Sequence, residues 1–333
     1  MASSRRIGFI AIGGVAFFLL GYLAHFLINN YINSTITETG IREKGKYTYI
    51  APLLYCSSTE RKDYGPFNDL NNKVQAVIDQ KIKDGLAEKV SVFFRDTKAH
   101  WIGINDSDLY SPASLLKVPL MIAYYKEAEN DPSILEQRYT YPTDSDLNAN
   151  EVFKPKKQLT PGASYSVSEL IEAMITESDN NAADILQGNI NQKILSEVYT
   201  DLGLPIADHT DPNKADMSPK MYTYFLRVLY NATYLSPTYS EQALSFLAKS
   251  SFDQGLRLGI QDGTAIASKF GERTEIDQNG MVLSKNLNDC GLIYAKNDPY
   301  FLCVMTKGQD YKGLSSTIGD ISKVVYQEVL SQK

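Results

Sequence analysis

The sequence predicts an α+β domain, in which an antiparallel sheet formed by N- and C-terminal strands is flanked by helices, with an all-helical subdomain inserted between those strands. Strand patterns occur early in the domain, at residues 90–94 and 101–104, and again late, at 264–271, 291–294 and 301–305. Helical patterns lie between the two groups. We therefore expect the first strands to pair with the last.

The helical predictions depend on apolar spacing and on capping residues. Leu70, Val74, Val77 and Ile82 recur at helical spacing, and this helix is expected to stop near Gly85. A capping box, Ser-Val-Ser-Glu at 166–169, opens a later helix. The predicted helical stretches are 70–82, 114–129, 166–176, 182–186, 252–260 and 318–330.

The N-terminal region predicts a membrane anchor. Residues 7–28 form an almost wholly apolar run of 22 residues, which is long enough to cross a bilayer as a helix. Arg5 and Arg6 precede it, so we expect residues 1–6 in the cytoplasm and everything after residue 28 on the other side of the membrane. A cleaved signal peptide is the alternative, but no small-x-small site follows the run cleanly. Residues 29–66 are then a tether and lead-in segment, and residues 67–333 the main folded domain.

Composition argues against several partners. The formal net charge of −6 and the scattered basic residues predict no nucleic-acid partner. The histidines His25, His100 and His209, with no Cys-x-x-Cys, predict no metal centre, and no cofactor is expected. Cys290 and Cys303 lie on two strands that a turn separates, so they are either a cross-strand disulfide or two buried thiols.

The motif Ser114-Leu115-Leu116-Lys117 is the only Ser-x-x-Lys in the chain. A serine and a lysine three residues apart lie on one face of a helix, so the amine can take the hydroxyl proton when the serine attacks a carbonyl. The alternative interpretation is a helix start with a capping serine and a solvated lysine. The motif thus predicts a nucleophile and base that need no histidine.

A second polar cluster, Ser178-Asp179-Asn180, interrupts two helical stretches. A hydroxyl and a carboxamide two residues apart at such a break can both project into a cleft, where one relays protons and the other binds a substrate carbonyl. An ordinary Asx-type cap is the alternative. A third motif, Lys269-Phe270-Gly271, follows on a late strand.

These three motifs, in this order, resemble those of the class A β-lactamase family, within the wider group of penicillin-recognising active-site-serine enzymes. The resemblance covers residues 67–333 and implies a β-lactamase/transpeptidase-like fold. It implies an extracytoplasmic hydrolase acylated at Ser114 by a β-lactam or by a D-Ala-D-Ala-like peptidoglycan stem peptide. Its catalytic residues would be Ser114 (nucleophile), Lys117 (base) and Ser178 (proton relay). Substrate would be bound by Asn180, Lys269, Phe270, Gly271 and Glu272, with the backbone N–H groups of Ser114 and Glu272 as the oxyanion hole.

Two departures from the family pattern bear on activity. Phe270 replaces the threonine or serine whose hydroxyl holds the substrate carboxylate, and a phenyl ring cannot make that hydrogen bond. The loop glutamate that activates water for release of the acyl group is missing, since the segment from Leu204 to Asp216 contains no Glu-x-x-Leu-Asn. Asp208, Asp211 or Asp216 either substitutes for it or is a solvated loop residue.

Three hypotheses follow for function. An anchored β-lactamase-type hydrolase predicts turnover of a β-lactam. A D,D-peptidase resembling a penicillin-binding protein predicts a lasting penicillin adduct, because water attack on the ester is slow without a positioned base. A catalytically silent binding domain predicts neither result.

Overall fold

A computed structural model describes residues 21–24, 42–43, 45–54, 67–142, 146–205, 216–296 and 298–332. The chain divides into two compact units. In the first, Met1–Gly40 with Cys56–Thr59, the described residues are 21–24, which are helical. The second, Ile41–Tyr55 with Glu60–Lys333, contains all the strands and labelled helices described below.

A five-stranded antiparallel sheet forms the centre of the second unit, in the order β2-β1-β7-β6-β5. The predicted pairing of the first strands with the last is confirmed, because β1 pairs with β7 from Lys89↔Lys307 to Asp96↔Tyr300. A two-stranded sheet joins β3 and β4. The strands are β1 Lys89–Asp96, β2 Trp101–Ile104, β3 Arg138–Thr140, β4 Ser164–Ser166, β5 Ile266–Ile276, β6 Val282–Ile293 and β7 Tyr300–Gly308.

Helices cover both faces of the large sheet. The first and last helices share one apolar core with one sheet face, and the helices between share a second core with the other face. Alternate residues of β7 divide between the cores, since Cys303 belongs to one and Leu302 and Val304 to the other. The helices are α1 Asn68–Lys83, α2 Lys117–Ala128, α3 Val167–Thr176, α4 Asn180–Asn189, α5 Gln192–Asp201, α6 Pro219–Asn231, α7 Pro237–Ala248 and α8 Tyr311–Ser331.

Several sequence predictions fell short at their boundaries. β6 and β5 extend well beyond the predicted segments, because their outer parts form a long hairpin with little apolar patterning, in which buried positions of β6 are occupied by polar residues such as Ser284, Asn286 and Asn288. The predicted helix at 252–260 is a 3-10 helix, Gly255–Gly259. The capping box at Ser166 and Glu169 is confirmed in full.

Cys290 and Cys303 lie directly opposite each other on β6 and β7 and form a disulfide. Of the two alternatives left open by the sequence, the structure therefore selects the cross-strand bridge. Both residues are fully buried in the core between the sheet and the central helices.

Part of the predicted lead-in segment packs on the helical half. The carboxylate of Glu241 on α7 accepts the backbone N–H groups of Thr48, Tyr49 and Ile50 at 2.8 to 3.1 Å. Most of the predicted anchor, residues 7–28, lies outside the described residues. Among the helices that the structure describes, none has the length and apolar character needed to cross a membrane.

Candidate active site

Ser114 lies on a 3-10 helix, Ala113–Leu116, and α2 begins only at Lys117. The sequence predicted one helix from residue 114, and Pro119 explains the difference. In a continuous α-helix the backbone N–H of residue 119 would donate to the carbonyl of Leu115. Proline has no N–H to donate, and its ring would clash with that carbonyl. The Leu115 oxygen instead accepts from the Tyr222 hydroxyl at 3.3 Å. The nucleophile candidate is therefore presented on a separate tight turn before the buried helix.

Lys117 joins the first motif to the second. It is 7 % exposed, and its Nζ donates to Ser178 O at 2.6 Å, to Ser178 Oγ at 3.2 Å and to Asn180 Oδ1 at 2.6 Å. Among the described residues, no hydrogen bond connects this amine to Ser114. The structure thus brings Lys117 to the second motif and places Ser114 beside it in the same cleft.

Ser178 has a left-handed backbone, with φ of 57°, between the end of α3 and the start of α4. A non-glycine residue in this region costs on the order of 1 kcal/mol and is common at functional sites. Asp179 stabilises the bend because its carboxylate caps α4, accepting from Ala182 N at 3.0 Å. The predicted helix break and Asx cap are both present, so the two interpretations of this motif are compatible.

Lys269 of the third motif contacts the same hydroxyl. It is fully buried on β5, and its Nζ donates to Ser178 Oγ at 2.8 Å and to Phe270 O at 3.1 Å. Ser178 Oγ consequently lies between two lysine amines, at 3.2 and 2.8 Å. A hydroxyl between two amines can receive a proton from one side and pass one on.

Burial perturbs both amines. It lowers the pKa of Lys117 to about 8, although Glu151, Asp179 and Glu272 act in the opposite direction. Burial also lowers the pKa of Lys269 well below its ordinary value, and the nearby charge of Lys117 adds to this effect. At neutral pH a fraction of Lys117 is therefore neutral, which an amine needs before it can act as a base.

Gly271 allows β5 to approach the turn that carries Ser114. A Cβ at this position would lie 2.4 Å from Pro112 O and 3.2 Å from Ser114 N. Because β5 is an edge strand, its free edge faces this turn and not another strand. The glycine of the third motif thus brings the backbone next to Glu272 close to the nucleophile, as an oxyanion hole built from two chain segments requires.

Comparison with known proteins supports the family resemblance that the three motifs indicate. The sequence profile of the Beta-lactamase enzyme family matches residues 69–329, most of the chain. The chain belongs to this family. A comparison with curated protein sequences finds no match.

Solved structures agree with this assignment. A mutant of PBP-A, solved as an acyl-enzyme complex with penicillin G, is 22 % identical, with a TM-score of 0.65 over 82 % of this chain and 99 % of that one. TLA-3 extended-spectrum β-lactamase is 20 % identical, with a TM-score of 0.66 over 79 % and 99 %. A class A β-lactamase from Mycobacterium abscessus is 20 % identical, with a TM-score of 0.65 over 79 % and 100 %. At these identities the likeness establishes the fold.

Phe270 distinguishes this member of the β-lactamase family at the third motif. Its ring is stacked on Phe252 at 3.9 Å between centroids and contacts Phe153 edge-on at 5.9 Å. Lys269 Nζ lies 4.4 Å from the centre of the same ring. Phe270 is 5 % exposed, so it belongs to an apolar cluster and presents no hydroxyl to a substrate.

The β-lactamase-family site opens into a cleft of about 610 Å³. Ser114, Lys117 and Asn180 line one part of it, and apolar side chains of α2 and α5, among them Leu120 and Leu195, line another. A cleft of this size accommodates a small amide substrate with an apolar acyl group.

Two carboxylates enter this cleft that motif reasoning missed. Glu272 was predicted only for its backbone N–H, yet its carboxylate accepts from Val152 N at 3.2 Å and Phe153 N at 2.8 Å. Glu151 Oε1 accepts from Asn180 Nδ2 at 2.8 Å. Glu151 lies in a loop between β3 and β4, where no periodicity marks it, so only the tertiary contact reveals its position.

The sequence offers three aspartates as substitutes for the loop glutamate. Asp208 and Asp211 lie outside the described residues, and Asp216 is described as partly buried. In the part of the chain that the structure describes, no group of three His, Cys, Asp or Glu residues is arranged to hold a metal ion. The described polar side chains that line the cleft include those of Ser114, Lys117, Asn180 and Glu151.

Proposed function

We propose that this member of the β-lactamase family is an active-site-serine enzyme whose Ser114 is acylated by a β-lactam or a D-Ala-D-Ala-like amide. The observation that carries the proposal is the pair of buried lysines, Lys117 and Lys269, that meet at Ser178 Oγ. Burying two amines around one hydroxyl destabilises the fold, and a structural role alone gives no reason to keep them there.

In the proposed acylation, neutral Lys117 gives up one donated hydrogen bond and accepts the proton of Ser114 Oγ. The Oγ–carbon bond forms as the serine attacks the carbonyl, and the backbone N–H groups of Ser114 and Glu272 hold the developing oxyanion. The carbon–nitrogen bond then breaks. Ser178 donates a proton to the leaving nitrogen and regains one from a neighbouring lysine amine. Asn180 binds the substrate amide.

We propose that the acyl group is released by slow hydrolysis of its ester bond to Ser114. The segment from Leu204 to Asp216 has no glutamate, and Glu197 on the preceding helix is exposed and paired with Lys193. A long-lived adduct would make the chain act like a penicillin-binding D,D-peptidase. The similar PBP-A structure, an acyl-enzyme with penicillin G, is consistent with this second candidate.

We further propose that the chain is anchored by residues 7–28, with the catalytic domain outside the cytoplasmic membrane of a bacterium. The positive residues before the apolar run support this orientation. The Cys290–Cys303 disulfide also supports it, because such bonds persist in oxidising compartments.

The test uses the full chain in a mild detergent, mixed with penicillin G or with its neutral methyl ester. Intact mass is followed over time, and peptide mapping locates any adduct, with Ser114→Ala as the control. A lasting adduct on Ser114 supports the penicillin-binding candidate, and a transient one with loss of β-lactam supports the hydrolase. If neither compound modifies Ser114, acylation by β-lactams is contradicted and the silent binding domain is favoured.

Acylation is also expected to rise with pH. The pKa of Lys117 is about 8, so its neutral, base form increases from pH 6 to pH 8 and the rate should rise about tenfold per pH unit before levelling off. Burst rates measured between pH 6 and 9 check this. Glu272→Gln should retain the rise if Lys117 causes it, whereas a flat profile in the unmodified chain would exclude Lys117 as the base.

A further inference from the structure

The cleft beside Ser114 carries an acidic lining. Among the described residues that line it, Lys117 is the only cation, whereas Glu151, Asp184 and Glu272 are acidic. Lys117 is itself buried and has a lowered pKa, so little of its positive charge is exposed to the cleft and part of the population is neutral at neutral pH. A substrate entering the cleft therefore meets a surface that favours neutral or positive groups.

The two glutamates are held in place by the fold. Glu272 accepts two backbone N–H groups from residues 152 and 153, and Glu151 accepts from the Asn180 carboxamide, the group expected to bind substrate. Together they connect the loop after β3 to β5 at the mouth of the cleft. Burial and the neighbouring Glu151 raise the pKa of Glu272 to about 7, as expected for two carboxyl groups that contact each other.

The cations that could hold a substrate carboxylate are directed elsewhere. Lys269 is fully buried, with its Nζ bonded to Ser178 Oγ and Phe270 O and lying near the Phe270 ring. Arg273 is exposed and donates to Ser111 Oγ at 3.4 Å, and it does not belong to the residues that line the cleft. Phe270 supplies no hydroxyl. At this end of β5, each group that could bind a substrate carboxylate is thus absent or bonded elsewhere, and the carboxylate of Glu272 would repel it.

We infer that Glu151 and Glu272 select acyl donors whose leaving group is neutral or cationic, and that they disfavour a leaving group with a carboxylate. The inference rests on the proposed acylation of Ser114 and names the substrate class for that reaction. Within the substrates proposed above, it favours β-lactams and D-Ala-D-Ala-like amides whose leaving-group carboxylate is amidated or esterified. An amidated, esterified or amine-bearing amide is the chemical class that fits the cleft.

Three thioesters with the same N-acyl-D-alanyl group test the inference, with thioglycolate, thioglycolamide or thiocholine as the leaving group; the quaternary ammonium of thiocholine carries the positive charge and cannot attack the thioester itself. In each, Ser114 Oγ attacks the carbonyl, the carbon–sulfur bond breaks, and the sulfur leaves as a thiol with the proton taken from Oγ. Water then cleaves the serine ester. The rates of thiol release and of adduct formation are measured on the full chain in detergent at pH 8, with Ser114→Ala as the blank.

The neutral and cationic thioesters are expected to acylate the enzyme at least about tenfold faster than the anionic one. This ratio is the size expected when one or two carboxylates repel a negatively charged leaving group about 10 Å away. Glu151→Gln/Glu272→Gln should bring this ratio close to one. Glu136→Gln/Glu197→Gln, which removes two exposed charges that do not line the cleft, should preserve it. Glu151→Gln alone keeps the backbone contacts of Glu272 and should give a partial decrease if the double variant does not fold.

The results distinguish a failure of the selection by the two glutamates from a failure of the proposed acylation. An anionic thioester that acylates as fast as the neutral one, or a ratio that folded double and single variants leave unchanged, would overturn the selection by Glu151 and Glu272 while leaving acylation of Ser114 intact. If none of the three thioesters acylates Ser114, the proposed function itself is contradicted, and the selection with it.

Discussion

Replacing Lys117 by methionine is expected to lower the acylation rate of Ser114 by about 10³-fold, within the range observed when a general base is removed. Methionine has a similar length and suits the buried position, but it cannot accept the serine proton. The rate of adduct formation with a matched β-lactam ester or thioester measures the effect. The pH dependence expected from Lys117 should disappear in the same variant.

The matched control for this variant is Lys126→Met. Lys126 lies on the same helix, α2, is partly exposed, and forms a surface ion pair with Glu129. Its replacement should change the rate by less than about twofold, because exposed ion pairs contribute little. A Lys117→Met protein that folds and acylates at the unmodified rate would show that another group takes the proton. The unfolding free energy, measured with urea, establishes whether a slow variant is folded.

The second large effect is expected at Gly271. In Gly271→Ala the added methyl group would lie 2.4 Å from Pro112 O, a backbone atom that cannot yield without moving the Ser114 turn. We expect the free energy of unfolding to fall by about 1–3 kcal/mol, as for other overpacked sites. We also expect acylation to slow by about 10²-fold, because Ser114 and the backbone N–H groups would be displaced by tenths of an ångström or more.

Gly188→Ala is the control for Gly271→Ala. Gly188 lies within α4, and a Cβ there would meet no atom within 4 Å. Alanine at a helical glycine should stabilise the protein by up to about 1 kcal/mol and leave acylation unchanged. If Gly271→Ala acylates at the unmodified rate, the close approach of β5 to the Ser114 turn is not needed for acylation.

Much of the fold could be predicted from local sequence. The strands at 90–94 and 301–305 and the helix that starts near residue 68 have strong apolar patterns, and the structure contains each of them. The outer half of the β5–β6 hairpin was missed, since side chains such as Glu275 and Ser284 are paired with each other and do not alternate with apolar residues. Its strands are stabilised mainly by the ladder itself.

The sequence by itself determined the order of the three motifs and the local structure that carries them. Ser166 and Glu169 form the capping box that opens α3, and Asp179 caps α4. These effects depend on a residue and its immediate neighbours, so they can be recognised from the sequence.

Only the tertiary structure decided what surrounds these motifs. It buried Lys117 and Lys269 within hydrogen-bond distance of Ser178 Oγ, brought Glu151 to Asn180, and packed Phe270 on Phe252. Such contacts join residues that are distant in the chain and leave no periodic signal in it. The pKa values and the charge of the cleft follow from burial in the folded chain, because desolvation depends on which groups exclude water and not on residue identity alone.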